Sequence, residues 1–314
     1  MQKDHFFGRI RRESKRIGRD VSLNRYVYLM LLPVLIYYLL FHYYPLYGAQ
    51  IAFRRFSPGL GILGSPWVGF SNFTSFFKSI YFGRLVRNTL TINLMNLVFG
   101  FPAPIILALL LNEVGFSPFK RVVQTLTYMP HFISVIVICG MVLNFFARDG
   151  LVNNLLSLFS SAPRINYMLE PQWFRTIYVA SDIWQHAGWG TIVYLSALSA
   201  LDPQLYEAAV IDGAGRWRQM LHVTLPGILP TIIILFILRL GSMMSVGSEK
   251  ILLLYNSNIY ETADVISTFV YRKGIMETDF SYSAAVGLFN SVINFAILLT
   301  ANRASRLVSG TSLW

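Results

Sequence analysis

The run Leu201-Asp-Pro-Gln-Leu-Tyr-Glu-Ala-Ala-Val-Ile-Asp-Gly-Ala-Gly-Arg-Trp-Arg-Gln-Met-Leu-His-Val-Thr-Leu-Pro226 separates two long apolar stretches. Asp202 has the short acceptor side chain of a helix N-cap, and Pro203 suits the first helical position, where no backbone N–H is needed. Glu207, Ala208 and Ala209 then fall mid-helix, and Gly213 stands where a left-handed residue closes a C-terminus. The spacing predicts a helix over 203–212, about 15 Å long. Trp217, Met220 and Leu221 at i, i+3 and i+4 give a second short helix an apolar side, and Leu225-Pro226 is expected to stop it. Two short helices joined by glycine make a protruding knob, on which Ala208 and Ala209 permit close approach of another surface. An amphipathic pair lying in a lipid headgroup layer fits the same pattern.

Outward from this run the chain is strongly apolar. Hydrophobic residues make up 54% of the 314 and charged residues 13%, about half the charge a soluble chain carries on its surface. The mean hydropathy of +0.52 agrees. Six windows reach the roughly 20 residues that a helix needs to cross a bilayer: 27–48, 88–111, 122–147, 176–201, 228–248 and 280–302. Of 41 charged residues only Asp182 and Arg239 fall inside them. No ten-residue segments alternate with period two, which argues against a membrane β-barrel. The sequence therefore predicts an all-α membrane protein with six transmembrane helices.

Residues 1–26 form a basic tail with eight Lys/Arg against three acids. The positive-inside rule places such a tail in the cytoplasm, and six spans return the 303–314 tail to the same side. The tail's length and the lack of a small-residue cleavage site distinguish it from a signal peptide. On this orientation the outer loops are 49–87, 148–175 and 249–279. The inner 112–121 is a short hairpin, whereas 202–227 is far longer than a hairpin requires. The net charge of +11 is thus read as membrane topology, with no nucleic-acid partner.

Glu207-Ala208-Ala209, Gly213 after three residues and Val223-x-Leu225-Pro226 nine residues further on together resemble the EAA loop of ATP-binding-cassette importer permeases. The family pattern usually has Ile where Val223 stands. The extended form with Asp212 and Ala214 is similar to the carbohydrate-uptake branch. Val68-Gly-Phe-Ser-Asn-Phe73 with Arg87-Asn-Thr-Leu90 resembles the sugar-permease entry pattern. Tyr128-Met-Pro-His-Phe-Ile-Ser134, Ser248-Glu-Lys-Ile-Leu-Leu-Leu-Tyr-Asn256 and Tyr260-Glu-Thr-Ala-Asp264 with Val270-Tyr-Arg-Lys-Gly274 look like LplB-like polysaccharide permeases. The resemblance implies the binding-protein-dependent importer permease fold in a bacterial cytoplasmic membrane. It also implies a second homologous permease, two ATPase subunits and an extracytoplasmic solute-binding protein as partners. Glu207, Ala208, Ala209, Asp212, Gly213, Leu225 and Pro226 would then couple the chain to the ATPases, and transport would proceed by alternating access. A self-contained channel, receptor or membrane enzyme is the alternative, but it would have no use for a cytoplasmic docking knob.

No G-x-x-x-x-G-K-[ST] phosphate loop occurs, so ATP and Mg are expected on the partner subunits and no cofactor on this chain. The five histidines form no H-E-x-x-H and Cys139 stands alone, so neither a catalytic residue nor a metal site is predicted. Inside the spans, Thr89, Asn93, Asn96 and Gly100 share one helix face, and Ser283, Gly287, Asn290 and Asn294 share another. Helix–helix packing and contact with a substrate both suit such residues. Asp182 and His186 at i, i+4 form a local pair, with Trp184, Gln185 and Trp189 nearby. Arg239 lies near mid-membrane, where a lone cation costs at least about 2.5–3.5 kcal/mol. A structural partner such as Asp182 and a lining role on a substrate path both fit.

Arg239, Asn93, Asn96, Trp184, Gln185, Asn290 and Asn294 are accordingly the candidates for the substrate path. An oligosaccharide is the expected cargo, and both an acidic one such as a uronate and a neutral one fit. Outer loop one carries Arg54, Arg55, Lys78, Arg84 and Arg87 with no acid, a field that attracts anions. Arg239 would meet a passing carboxylate. Segment 249–279 is expected to touch the binding protein.

Overall fold

A computed structural model describes residues 23–159, 163–310 and 312–313. The basic tail falls outside the described residues except for 23–26. Among the described residues the fold is helical, with a single isolated antiparallel bridge between Arg54 and Trp67. Ten helical elements position the site. They are α1 (Arg25–Phe53), α2 (Phe82–Glu113), α3 (Ser117–Phe132), α4 (Val135–Phe145), α5 (Pro171–Ser199), α6 (Pro203–Ile211), α7 (Arg216–Leu240), α8 (Ser248–Leu254), α9 (Ile266–Tyr271) and α10 (Phe280–Ser309).

Four of these, α1, α2, α7 and α10, are long and apolar enough to cross a membrane, and the bent pair α3–α4 makes five when taken as one span. α5 has 29 residues, or about 43 Å of helix, but Asp182, Gln185 and His186 lower its hydropathy. The window expected at 122–147 is not straight. α3 and α4 meet at 100°, because Pro130 closes a short 3₁₀ turn and Ser134 starts a new helix by accepting from the Val137 N–H.

The window 228–248 also differs from a single span. α7 ends at Leu240, the chain runs irregularly over 241–247, and α8 begins at Ser248. Irregular backbone at membrane depth persists only where protein or a polar cavity satisfies it. Asn294 on α10 does so: it accepts from the Met244 N–H at 2.7 Å and donates to Ser245 Oγ at 2.9 Å. Segment 249–279, expected as an outer loop, folds largely into α8, α9 and short turns packed onto the core.

Three apolar clusters hold the elements. Ile92, Ile138, Phe174, Tyr178 and Ile251 join α2, α4, α5 and α8. Phe76, Leu85, Phe269 and Val286 join α2, α9 and α10. Ile105, Tyr194, Leu198 and Ile228 join α2, α5 and α7. Close approach fixes two crossings: a Cβ at Gly188 would overlap the Thr127 carbonyl, and one at Gly190 would press on Pro104. The apolar window of α1 stands apart, since none of it is buried within the chain, whereas the end of α1 over 47–53 packs on α10.

Candidate functional site: a charged cavity beyond an exposed helical knob

The α6 knob is built as its sequence predicts. Asp202 caps α6 by accepting from the Gln204 N–H at 2.9 Å, and Gly213 ends it at φ +74°. The Gly213 N–H donates to Val210 O and the Ala214 N–H to Ala209 O, which satisfies the last carbonyls of the helix. Glu207, Ala208 and Asp212 are exposed, Ala209 partly so, and Ile211 is 86% exposed. An apolar knob of this kind is shaped for contact with another surface.

The second helix departs from expectation. Leu225-Pro226 does not stop it; the helix runs unbroken from Arg216 to Leu240. A π turn at Met220–Thr224 makes this possible, with the Leu225 N–H donating to Met220 O, five residues back. The wider turn carries the chain past Pro226, which lacks an N–H and in a regular α-helix would crowd the preceding turn.

Farther along α7 lies a cavity of about 430 Å³ walled by α2, α5, the end of α7 and the 241–247 segment. It brings Asn93, Asn96 and Arg239 together with Tyr178, Asp182 and His186. A second π turn, Asn96–Gly100, shapes its α2 wall ahead of Pro102 and Pro104. Asn96 is 4% exposed and its Oδ1 has no hydrogen-bond partner, while Asn93 Nδ2 donates to the Thr89 carbonyl at 3.0 Å.

Asp182 makes no ion pair with Arg239. Its Oδ1 lies 3.4 Å from His186 Nδ1 and 3.7 Å from Lys250 Nζ. Lys250, only 5% exposed, also donates to Gln185 Oε1 at 3.4 Å and sits over the Tyr178 ring. Among the described residues no carboxylate forms an ion pair with Arg239. With Asp182 turned to His186 and Lys250, the guanidinium stands in the cavity wall within electrostatic reach of Asp182 but without an ion pair.

The other candidates lie elsewhere. Gln185 is turned to Lys250, Asn294 holds the broken backbone, and Trp184 is half exposed and does not line the cavity. Asn290 has a buried, unpartnered Oδ1 but is not among the lining residues. Trp189 stacks face to face on His131, with centroids 4.7 Å apart. Phe132 meets Trp189 edge-on at 5.3 Å, and His131 lies 5.6 Å from His186. These rings form an aromatic ledge beside the cavity. Sequence reasoning missed Lys250 and His131, because a lysine in an apparent loop and a histidine at a helix bend carry no local signal of where they fold.

The basic field of outer loop one is weaker than its sequence implies. Arg84 pairs at 3.2 Å with Asp264, which is fully buried and also binds Arg272 at 2.8 Å. Burial alone would lower the Arg272 pKa, but the hydrogen bonds and charge of Asp264 outweigh it and raise it above the ordinary value. Arg54 donates to the Leu63 and Ser65 carbonyls. Arg175 bonds Asn88, which in turn donates to the Glu261 and Asp264 carbonyls. Arg84 and Arg175 knit the 261–264 segment to α2 and α5, while Arg54 braces its own loop.

An exposed helical knob at one end of an apolar helix and a polar cavity at the other are the arrangement of a transport permease. Residues 100–307 match the family model of the binding-protein-dependent transport system inner membrane component, and the chain belongs to that family. It is 45% identical over 292 residues to the polygalacturonan/rhamnogalacturonan transport system permease protein YteP of Bacillus subtilis, covering 93% of this chain and 91% of the relative. It is 46% identical over 279 residues to Protein LplB of the same organism, covering 89% and 88%. A solved bacterial ABC transporter involved in import of the acidic polysaccharide alginate superposes with TM-score 0.87 at 43% identity, covering 94% of this chain and 99% of that one. A second, the alginate transporter in complex with an alginate pentasaccharide-bound periplasmic protein, gives TM-score 0.88 at 42% identity, with 95% and 100% covered. The chain is a multi-pass membrane permease.

Proposed function

We infer that this permease passes acidic oligosaccharides, uronates above all, through the cavity that Arg239 lines. The observation that carries this is a cavity-lining guanidinium that makes no ion pair among the described residues, since a carboxylate offers the two acceptors that a guanidinium fork fits. The Trp189–His131–Phe132 ledge offers flat apolar surface to a pyranose ring. The relatives and solved neighbours named for polygalacturonan and alginate support the same cargo.

The remaining assignments follow from the family. α1, α2, α3–α4, α5, α7 and α10 act as six spans with cytoplasmic ends, preceded by the 1–26 tail and followed by the 303–314 tail. A second, homologous permease completes the path and covers α1. Two ATPase subunits carrying ATP and Mg receive α6, with Glu207 making polar contact and Ala208 and Ala209 allowing approach. A binding protein delivers the sugar at the outer face, and transport proceeds by alternating access. The test is uptake into vesicles holding the assembled complex. A labelled oligouronate should enter with ATP, and its carboxyl-reduced counterpart of equal length should enter poorly. Equal uptake of both would remove the acidic preference, and no saccharide uptake would remove the sugar.

A further inference from the structure

We propose that Tyr206 and Thr224 form a lock that makes the α6 knob and the membrane helix α7 move as one body. This proposal rests on the importer assignment for its consequence in transport, but not for the lock itself. Tyr206 Oη donates to Thr224 Oγ1 at 3.0 Å across eighteen residues of sequence. Thr224 is 1% exposed and is the last residue of the Met220–Thr224 π turn. That turn is a weak point of α7, as Pro230 further along is, because helices kink at π bulges and at prolines. Two further contacts brace the joint from the sides. Gln219 Nε2 donates to the Ala214 carbonyl at 2.7 Å, and Gly227 lies so close to Leu201 that a Cβ there would fall 2.6 Å from Leu201 Cδ2.

The geometry joins two functions that the sequence keeps apart. From Thr224 to Arg239 α7 rises about 22 Å at 1.5 Å per residue, so a tilt imposed on α6 reaches the cavity cation only if the π turn does not absorb it. Of the three contacts, only the Tyr206–Thr224 hydrogen bond runs from the body of α6 to the π turn itself. Both are therefore positioning residues: neither lines the cavity, and each acts through Arg239 and the 241–247 segment beyond it.

Tyr206→Phe and Thr224→Val each delete one hydroxyl and keep the shape, and a neutral hydrogen bond shifts a local equilibrium by about fivefold. In the purified full-length subunit, amide hydrogen exchange over 220–226 should quicken about fivefold in Tyr206→Phe. This arm needs no partner. In the assembled complex both variants should bind the ATPases and hydrolyse ATP as the parent does, while saccharide imported per ATP falls about fivefold. The double variant should lose no more than either single, and Thr224→Ser, which keeps the hydroxyl, should retain full coupling. Unchanged exchange in Tyr206→Phe, unchanged import per ATP, multiplying losses in the double variant, or a defect in Thr224→Ser would each overturn the lock. Loss of ATPase binding in Tyr206→Phe would overturn it too, by placing that hydroxyl in the docking surface. Failure of the parent complex to assemble or import would instead contradict the importer assignment, with the exchange result still deciding the lock.

Discussion

Replacing Arg239 with Gln isolates the charge in the cavity wall at nearly constant length. The guanidinium is partly buried and, among the described residues, has no carboxylate partner. Holding a lone cation near the membrane centre costs about 2.5–3.5 kcal/mol. Removing it should therefore leave the ligand-free protein at least as stable, with unchanged yield and thermal midpoint in detergent. A hydrogen bond to a charged group contributes about 1.5–3 kcal/mol, so losing the carboxylate contact should raise the half-saturating oligouronate concentration about 10- to 150-fold. Uptake of a neutral saccharide of matched length should change by less than about twofold. The assay is ATP-driven uptake into proteoliposomes, with both saccharides measured on one preparation. Equal loss for both substrates, or a lower thermal midpoint, would refute the reasoning and make Arg239 structural. No loss for either would take it off the pathway.

Three further outcomes follow from named contacts. Gly213→Val forces a β-branched residue to φ +74°, a strain of about 1–3 kcal/mol; the subunit should still be made, and ATP-driven uptake should fall at least about tenfold. Asp264→Asn leaves Arg84 and Arg272 without their buried anion, a change that costs about 3–5 kcal/mol and should appear as a large drop in thermal midpoint. Gly188→Ala drives a methyl into the Thr127 carbonyl and should destabilise by about 1–3 kcal/mol, which chemical denaturation of the purified subunit would register.

The α6 helix was legible because its signals are local. Asp202, Pro203 and Gly213 each dictate backbone geometry within a few residues of themselves, and the structure differs from the expected 203–212 by one residue. The long apolar windows were legible for the same reason. The bend between α3 and α4 and the gap at 241–247 lay hidden inside unbroken apolar runs. What permits the gap is Asn294, fifty residues away on another helix, and no local pattern reports such a contact. The outer arginines misled for a related reason. Arg84 appears free in the sequence because the acid that neutralises it, Asp264, lies 180 residues further on. Pro226 reads as a helix stop under α-helical rules, and only the π turn before it lets α7 continue.

The most direct test of the cavity assignment is a structure of the assembled complex with an oligouronate trapped inside. A carboxylate of the bound sugar is expected within hydrogen-bond distance of the Arg239 guanidinium, with Asp182 still held by His186 and Lys250. A sugar bound away from Arg239, or Arg239 paired with a protein carboxylate of either permease subunit, would contradict it.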